Sequence, residues 1–233
     1  FITFMIKTFY HYADHLVCQS NMMRNDVYSF IPNYIVPASV IYNPIGNVPP
    51  YIAEETKRVI ISIGRLELQK NHQLLIKAFD QVKNIISHDL LIIGDGSERN
   101  NLIKLIDEKD LKDRVHLKGF IENVWDEYCN SAVFVLSSDY EGFPNVILEA
   151  MANCTPVISA NCPSGPNEII QHGENGFLFK AGCADELARL MVRVVEDNSL
   201  QEKIKKNAYQ CLIRYNIIDI SKQYQNIFEK LDV

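Results

Sequence analysis

From residue 59 onward, six short apolar runs at 59–63, 90–93, 115–117, 133–136, 157–159 and 177–179 alternate with amphipathic segments. This alternation limits the fold more than any other feature of the chain. The runs are rich in β-branched residues and apolar on both faces, as strands covered on both sides require. The intervening segments predict helices near 71–86, 98–109, 122–130, 145–153, 166–171, 184–197, 199–213 and 219–231. Buried strands joined by helices imply right-handed parallel βαβ units. The expected class is therefore α/β, a doubly wound parallel, Rossmann-like sheet with ligands at the carboxyl ends of its strands.

The first part of the chain reads differently. Residues 1–12 look helical, 15–18 like a short strand, and Ser20 like the cap of a helix reaching about Phe30, with a further strand at 40–42. The stretch 43–57 carries Pro44, Gly46, Pro49 and Pro50 and has linker composition. The expected division is a first unit at 1–43, a linker at 44–58, the main domain at 59–213 and a terminal helical segment at 214–233. The chain opens on Phe in what reads as mid-helix, so the expectation is a fragment or a truncated product.

Composition excludes several functions. With 23 basic and 29 acidic side chains, a net charge of −6 argues against a broad nucleic-acid footprint. The six cysteines are scattered with no Cys-x-x-Cys pair, so neither a zinc site nor a disulfide framework is indicated, and a reducing cytoplasm is the expected compartment. No apolar run approaches the roughly 20 residues needed to cross a bilayer. No Asp-x-Asp suggests a divalent metal, and no cofactor is expected. His72 and His116 read as structural or surface residues, since no nucleophile triad can be argued from their spacing.

Chemistry concentrates after the run at 133–136. There Glu141-Gly142-Phe143-Pro144-Asn145-Val146-Ile147-Leu148-Glu149 reads as strand end, turn and helix start. Pro144 suits the first helical position, leaving the next N–H groups, on Asn145 and Val146, directed at the loop. Such a terminus attracts phosphate. Asn145 and Glu149, four apart, share one face. After the first run come Gly64, Arg65 and then Lys70, two cations able to neutralise a diphosphate. The second run ends in Gly94-Asp95-Gly96, which does not continue into the dinucleotide fingerprint. Phe120 follows the third run. Cys162-Pro163-Ser164-Gly165-Pro166-Asn167-Glu168 follows the fifth and offers another helix start.

The Glu141/Glu149 spacing around Gly-Phe-Pro resembles the Glu-x7-Glu motif of retaining glycosyltransferases of family 4, the "group 1" glycosyl transferases. The alternating pattern as a whole resembles the C-terminal half of a GT-B enzyme, with 1–43 as a partial remnant of the N-terminal acceptor domain. The resemblance implies transfer of a hexose or N-acetylhexosamine, with retention, from a nucleoside-diphosphate sugar to an acceptor hydroxyl in bacterial surface-polysaccharide assembly. It implies catalytic roles for Glu141, Arg65 and Lys70. It also implies donor contacts at Glu149, on the ribose, at Asn145 and Val146, and at Gly64, Gly94, Gly96, Phe120, Ser164 and Glu168, with no metal. The acceptor would be a saccharide or lipid-linked saccharide, and a lipid-linked one would allow peripheral association with the inner face of the plasma membrane. Lacking most of an acceptor domain, the chain is expected to bind donor but transfer no sugar.

Where family members read Ala-x-Gly-x-Pro, this chain has Ala152-Asn153-Cys154-Thr155-Pro156, and Asn153 is expected to adopt the left-handed conformation that ends the helix. Two other classes stay open: an epimerase or glucan-phosphorylase-type enzyme of the same architecture, or a non-catalytic nucleotide-binding remnant.

Overall fold

The computed structural model describes residues 2–31, 35–46, 48 and 58–231. Its strands are β1 (Leu16–Cys18), β2 (Ala38–Val40), β3 (Val59–Ile63), β4 (Asp89–Ile93), β5 (Val115–Gly119), β6 (Val133–Leu136), β7 (Val157–Asn161) and β8 (Phe177–Lys180). The α-helices are α1 (Ile2–Phe9), α2 (Asn21–Phe30), α3 (His72–Val82), α4 (Arg99–Glu108), α5 (Trp125–Cys129), α6 (Asn145–Ala152), α7 (Pro166–Ile169), α8 (Ala184–Glu196), α9 (Asn198–Cys211) and α10 (Ile217–Lys230).

Six strands form one sheet in the order β5-β4-β3-β6-β7-β8, and every neighbouring pair is parallel. This is the doubly wound sheet that the alternating runs imply. The order reverses between β3 and β6, which makes that crevice the topological switch point where such sheets bind ligands. β6 shows why the runs carry no polar face: Val133 and Val135 pack with α3 and α8 on one side, Phe134 and Leu136 with α5 and α6 on the other. Each fully buried side chain of this size contributes about 1.5–3 kcal/mol. The flanking helices follow the opposite rule. In α8 the buried residues Leu187, Leu190, Met191 and Val194 recur at helical spacing, with Asp185 and Glu186 in the first turn and Arg193 in the last, complementing the helix dipole.

The first unit is a separate parallel pair, β1 with β2, followed by a return to the main sheet. The strand expected at 40–42 lies at Ala38–Val40 instead. Its partner β1 ends at Cys18, because Ser20 already caps α2 by accepting from the Met23 N–H, and the last pair is Cys18 with Val40. Only Ile41 adds a bond, donating its N–H to the Cys18 carbonyl at 3.0 Å. The linker expected at 44–58 lies largely outside the described residues. Its first part is anchored: Ile45 bridges to Asn216, the cap of α10, and donates to the Tyr215 carbonyl at 2.8 Å. None of the helices among the described residues is long and apolar enough to cross a membrane.

One local expectation is corrected at the end of α6. Asn153 keeps φ −94°, and the left-handed residue is Cys154 at φ 54°. Asn153 is held right-handed because its side-chain amide donates to the Glu149 carbonyl at 2.8 Å, while Thr155 N–H closes the turn on the Ala150 carbonyl at 2.9 Å.

Candidate functional site

At the switch point the loops after β3 and β6 meet, and they bring Lys70 and Glu141 together. Lys70 Nζ donates to Glu141 Oε1 at 2.6 Å, with side chains only 15% and 8% exposed. The two loops are stitched along their length. Ser137 Oγ donates to the Lys70 carbonyl, Asp139 N–H to the Gln69 carbonyl, and Gln69 Nε2 to the Tyr140 carbonyl, at 2.7–2.9 Å. An almost dry ion pair of this kind is sensitive to loss of either partner. Arg65 stands exposed on the same β3 loop, with no ion pair among the described residues, so its charge is available to a ligand.

Three glycines shape this loop for a physical reason. A Cβ on Gly64 would sit 3.4 Å from Lys70 Cε, so the residue gives Lys70 room beside the backbone. Gly94, at φ +141°, would place a Cβ 1.9 Å from the Gly64 carbonyl oxygen, and Gly96 would place one 2.5 Å from that of Leu66. The loop after β4 thus packs directly against the loop carrying Arg65 and Lys70. Gly94 and Gly96 permit this close backbone approach beneath the loop.

The start of α6 departs from the expected detail. Pro144 is the cap residue rather than the first helical one, and Asn145 N–H is spent on the Phe143 carbonyl at 3.1 Å. The Val146 N–H finds no acceptor among the described residues and remains the donor available at this terminus. Asn145 Oδ1 accepts from Asn43 Nδ2 at 2.9 Å. One turn on, Glu149 Oε2 accepts from the Tyr128 hydroxyl at 3.1 Å, and no hydrogen bond among the described residues joins it to Arg65 or Lys70. Burial raises the Glu149 pKa, partly offset by the Tyr128 hydrogen bond. Tyr128 carried no motif; only its place on the apolar side of the helix expected at 122–130 hinted at a role.

The remaining candidates separate. Phe120 is 80% exposed at the end of β5, beside Gly119 at φ 79°, which rules out a core role and leaves a ring face open to solvent. Ser164 is buried in the loop after β7 at φ 64°, its N–H against Met22 Sδ. Glu168 is engaged by the first unit of the chain: it accepts from the N–H groups of Asn21 and Met22, the Asn21 amide and the Tyr42 hydroxyl.

His72 opens α3 behind Lys70 and is 4% exposed, with Nδ1 lacking a hydrogen-bond partner among the described residues. Burial, and secondarily the Lys70 charge, lowers its pKa to about 4 from 6.5. The folded state therefore binds fewer protons than the unfolded one between these values. The stability that neutral His72 allows is complete above pH 6.5 and is lost as pH falls toward 4, by about 2 kcal/mol at pH 5. Urea unfolding at pH 7 and 5 should show this loss, and His72→Gln should flatten it; an unchanged pH slope in the variant would contradict the assignment.

A family model described as "Glycosyl transferases group 1" matches residues 48–211. The chain belongs to this family. It is 28% identical over 265 residues to an uncharacterised glycosyltransferase of Methanocaldococcus jannaschii, covering 96% of this chain and 65% of that protein. It is 34% identical over 155 residues to the lipopolysaccharide core biosynthesis glycosyltransferase LpsE of Rhizobium meliloti, covering 66% and 44%. Among solved structures, a mutant of S. aureus TarM in complex with fondaparinux, alpha-GlcNAc-glycerol and UDP superposes with a TM-score of 0.89 at 23% identity, over 97% of this chain and 46% of that one. Anabaena HepE in complex with UDP and glucose gives 0.85 at 24%, over 94% and 64%. In each case this chain accounts for less than two thirds of the relative's length. The sheet is the Rossmann-like half of the GT-B architecture, as the sequence pattern implies.

Proposed function

We propose that this chain carries the donor-binding half of a retaining glycosyltransferase of family 4, which moves a hexose or N-acetylhexosamine from a nucleoside-diphosphate sugar to an acceptor hydroxyl. The observation that carries the reading is the meeting of Lys70 and Glu141 at the switch point, with Arg65 exposed on the same loop as Lys70 and α6 opening four residues after Glu141. Arg65 and Lys70 stabilise the departing diphosphate, as fixed cations do when charge builds on a leaving oxygen. Val146 N–H and the dipole of α6 bind phosphate. Glu149 accepts from the ribose hydroxyls, donors that offset its burial, and Glu141 orients the transferred sugar. As the bond from the anomeric carbon to the phosphate oxygen breaks, the acceptor oxygen bonds that carbon on the same face, and its proton passes to the departing diphosphate.

In this reading protein cations take the role a divalent metal plays elsewhere. Surface-polysaccharide assembly is the proposed setting, because similar proteins include LpsE and the amylovoran biosynthesis glycosyltransferase AmsD of Erwinia amylovora. A lipid-linked acceptor is supported by similarity to a Campylobacter jejuni enzyme whose name specifies a diphospho-undecaprenol acceptor.

A thermal-shift series with UDP, GDP and ADP, with and without EDTA, tests the proposal. A ligand at a hundred times its Kd stabilises by about 2.7 kcal/mol, and each kcal/mol raises Tm by about 2–4 °C for a chain of this size. One diphosphate is expected to raise Tm by several degrees irrespective of EDTA. No shift with any of them at millimolar concentration would overturn the reading.

A further inference from the structure

Glu168 was implied as a donor contact, but the structure surrounds its carboxylate with groups from the other end of the chain. Oε2 accepts from Asn21 N–H at 2.9 Å, the Asn21 amide at 2.8 Å and the Tyr42 hydroxyl at 3.1 Å; Oε1 accepts from Met22 N–H at 3.3 Å. The first N–H groups of a helix have no partner within it. In α2, Ser20 Oγ satisfies the third of them, Met23, at 3.0 Å, and Glu168 satisfies the first two from 146–147 residues away. An anion at a helix N-terminus also gains from the dipole. Burial alone would raise the Glu168 pKa, yet the Asn21, Met22 and Tyr42 hydrogen bonds hold it below its ordinary value.

What this cap holds in place matters more than the cap itself. Met22 and Met23, the two residues that follow Asn21, reach the site loops. Met22 Sδ meets the Ser164 N–H, and a Cβ on Gly142 would lie 3.6 Å from Met23 Cε. The Ser164 loop in turn supports the Glu141 turn: Glu141 N–H donates to the Pro163 carbonyl at 3.2 Å, and a Cβ on Gly165 would collide with Pro144 at 2.5 Å. A relay from Gln19 Nε2 through Asn43 to Asn145 Oδ1 ties the same first unit to the start of α6.

We propose that Glu168 is a positioning residue: by capping α2 from the sheet side, it fixes the first unit of the chain against the Glu141 turn, on which the transferred sugar is proposed to sit, touching neither diphosphate nor sugar. The functional part of this inference rests on the proposed glycosyltransferase reading; the capping part does not.

Hydrogen exchange and ligand titration on the whole chain decide it. In Glu168→Gln, a neutral side chain with one acceptor replaces a carboxylate serving two N–H groups. Exchange at the Asn21 and Met22 amides is expected to accelerate by about tenfold or more, with α8 amides, remote from the first unit, unchanged as the folding control. Glu168→Asp, which keeps the charge, should restore part of the protection. Affinity for the bare nucleoside diphosphate should stay within about twofold, whereas the preference for the nucleotide-sugar over it should fall, a ratio that general loosening would not shift. Unchanged exchange at Asn21 and Met22 would overturn the proposal. So would loss of bare-diphosphate affinity in the variant, which would return Glu168 to the donor contacts. If the wild-type chain binds no nucleoside diphosphate at all, the glycosyltransferase reading fails while the exchange result still decides the cap.

Discussion

Charge reversal at Lys70, Lys70→Glu, is expected to abolish nucleoside-diphosphate binding and to destabilise the fold by several kcal/mol. The second effect follows from Glu141, 8% exposed and bonded to Lys70 Nζ at 2.6 Å. Removing one partner of a buried pair costs about 3–5 kcal/mol, because the other charge is left unpaired. Binding must therefore be separated from unfolding. The double variant Lys70→Met with Glu141→Gln removes both charges, and such neutral replacements are often tolerated. It should keep a urea midpoint near wild type and still fail to bind the diphosphate. Glu141→Gln alone leaves the ammonium in place, so it should retain diphosphate binding. Isothermal titration showing wild-type affinity in Lys70→Glu would contradict the role given to this side chain.

Gly94→Ala should be about as damaging to the fold by a different route. At φ +141° an L-residue is strained, which costs about 1–3 kcal/mol. Its Cβ would lie 1.9 Å from the Gly64 carbonyl oxygen and 2.9 Å from the carbonyl carbon. Both are backbone atoms at the end of β3, and they cannot yield as a flexible side chain could. Relief requires the carboxyl ends of β3 and β4 to separate, weakening the bonds Gly64 N–H to Ile93 O at 3.0 Å and Leu66 N–H to Asp95 O at 2.9 Å. Each such bond contributes about 0.5–1.5 kcal/mol, so a total loss of roughly 3–5 kcal/mol is expected, a large share of a typical domain's stability. Gly46→Ala is the control: nothing lies within 4 Å of its Cβ, and its urea midpoint should match wild type. Equal midpoints for the two variants would show that the loop contact does not constrain the sheet.

The main domain was legible in the sequence because its signals are local and strong. β6 reads as a strand because four apolar residues in succession, placed within the alternation of short runs and helical segments, suit a strand covered on both faces, and Ser20 reads as a cap because its hydroxyl suits the first turn of α2. Lys70 and Glu141 could each be named from their own motifs, but their mutual bond depends on β3 and β6 being neighbours, which no local pattern states. Glu168 illustrates the same limit more sharply. Its motif suggested a donor contact, while its actual partners, Asn21, Met22 and Tyr42, lie 126–147 residues away. Tyr128 was missed because a buried tyrosine on an apolar helix face looks like any core residue until its hydroxyl is seen bonded to Glu149. The αL residue is Cys154 rather than Asn153, because the side-chain bond that holds Asn153 right-handed exists only in the folded turn.

A pyrophosphate is expected to seat at the switch point, between the cations of the β3 loop and the start of α6. A crystal structure of the chain with the nucleoside diphosphate that most raises its Tm tests this directly. Phosphate oxygens are expected within hydrogen-bond distance of Val146 N–H and of Lys70 or Arg65, with the ribose hydroxyls on Glu149. A diphosphate bound on another surface, with the β3 loop and α6 both untouched, would contradict it.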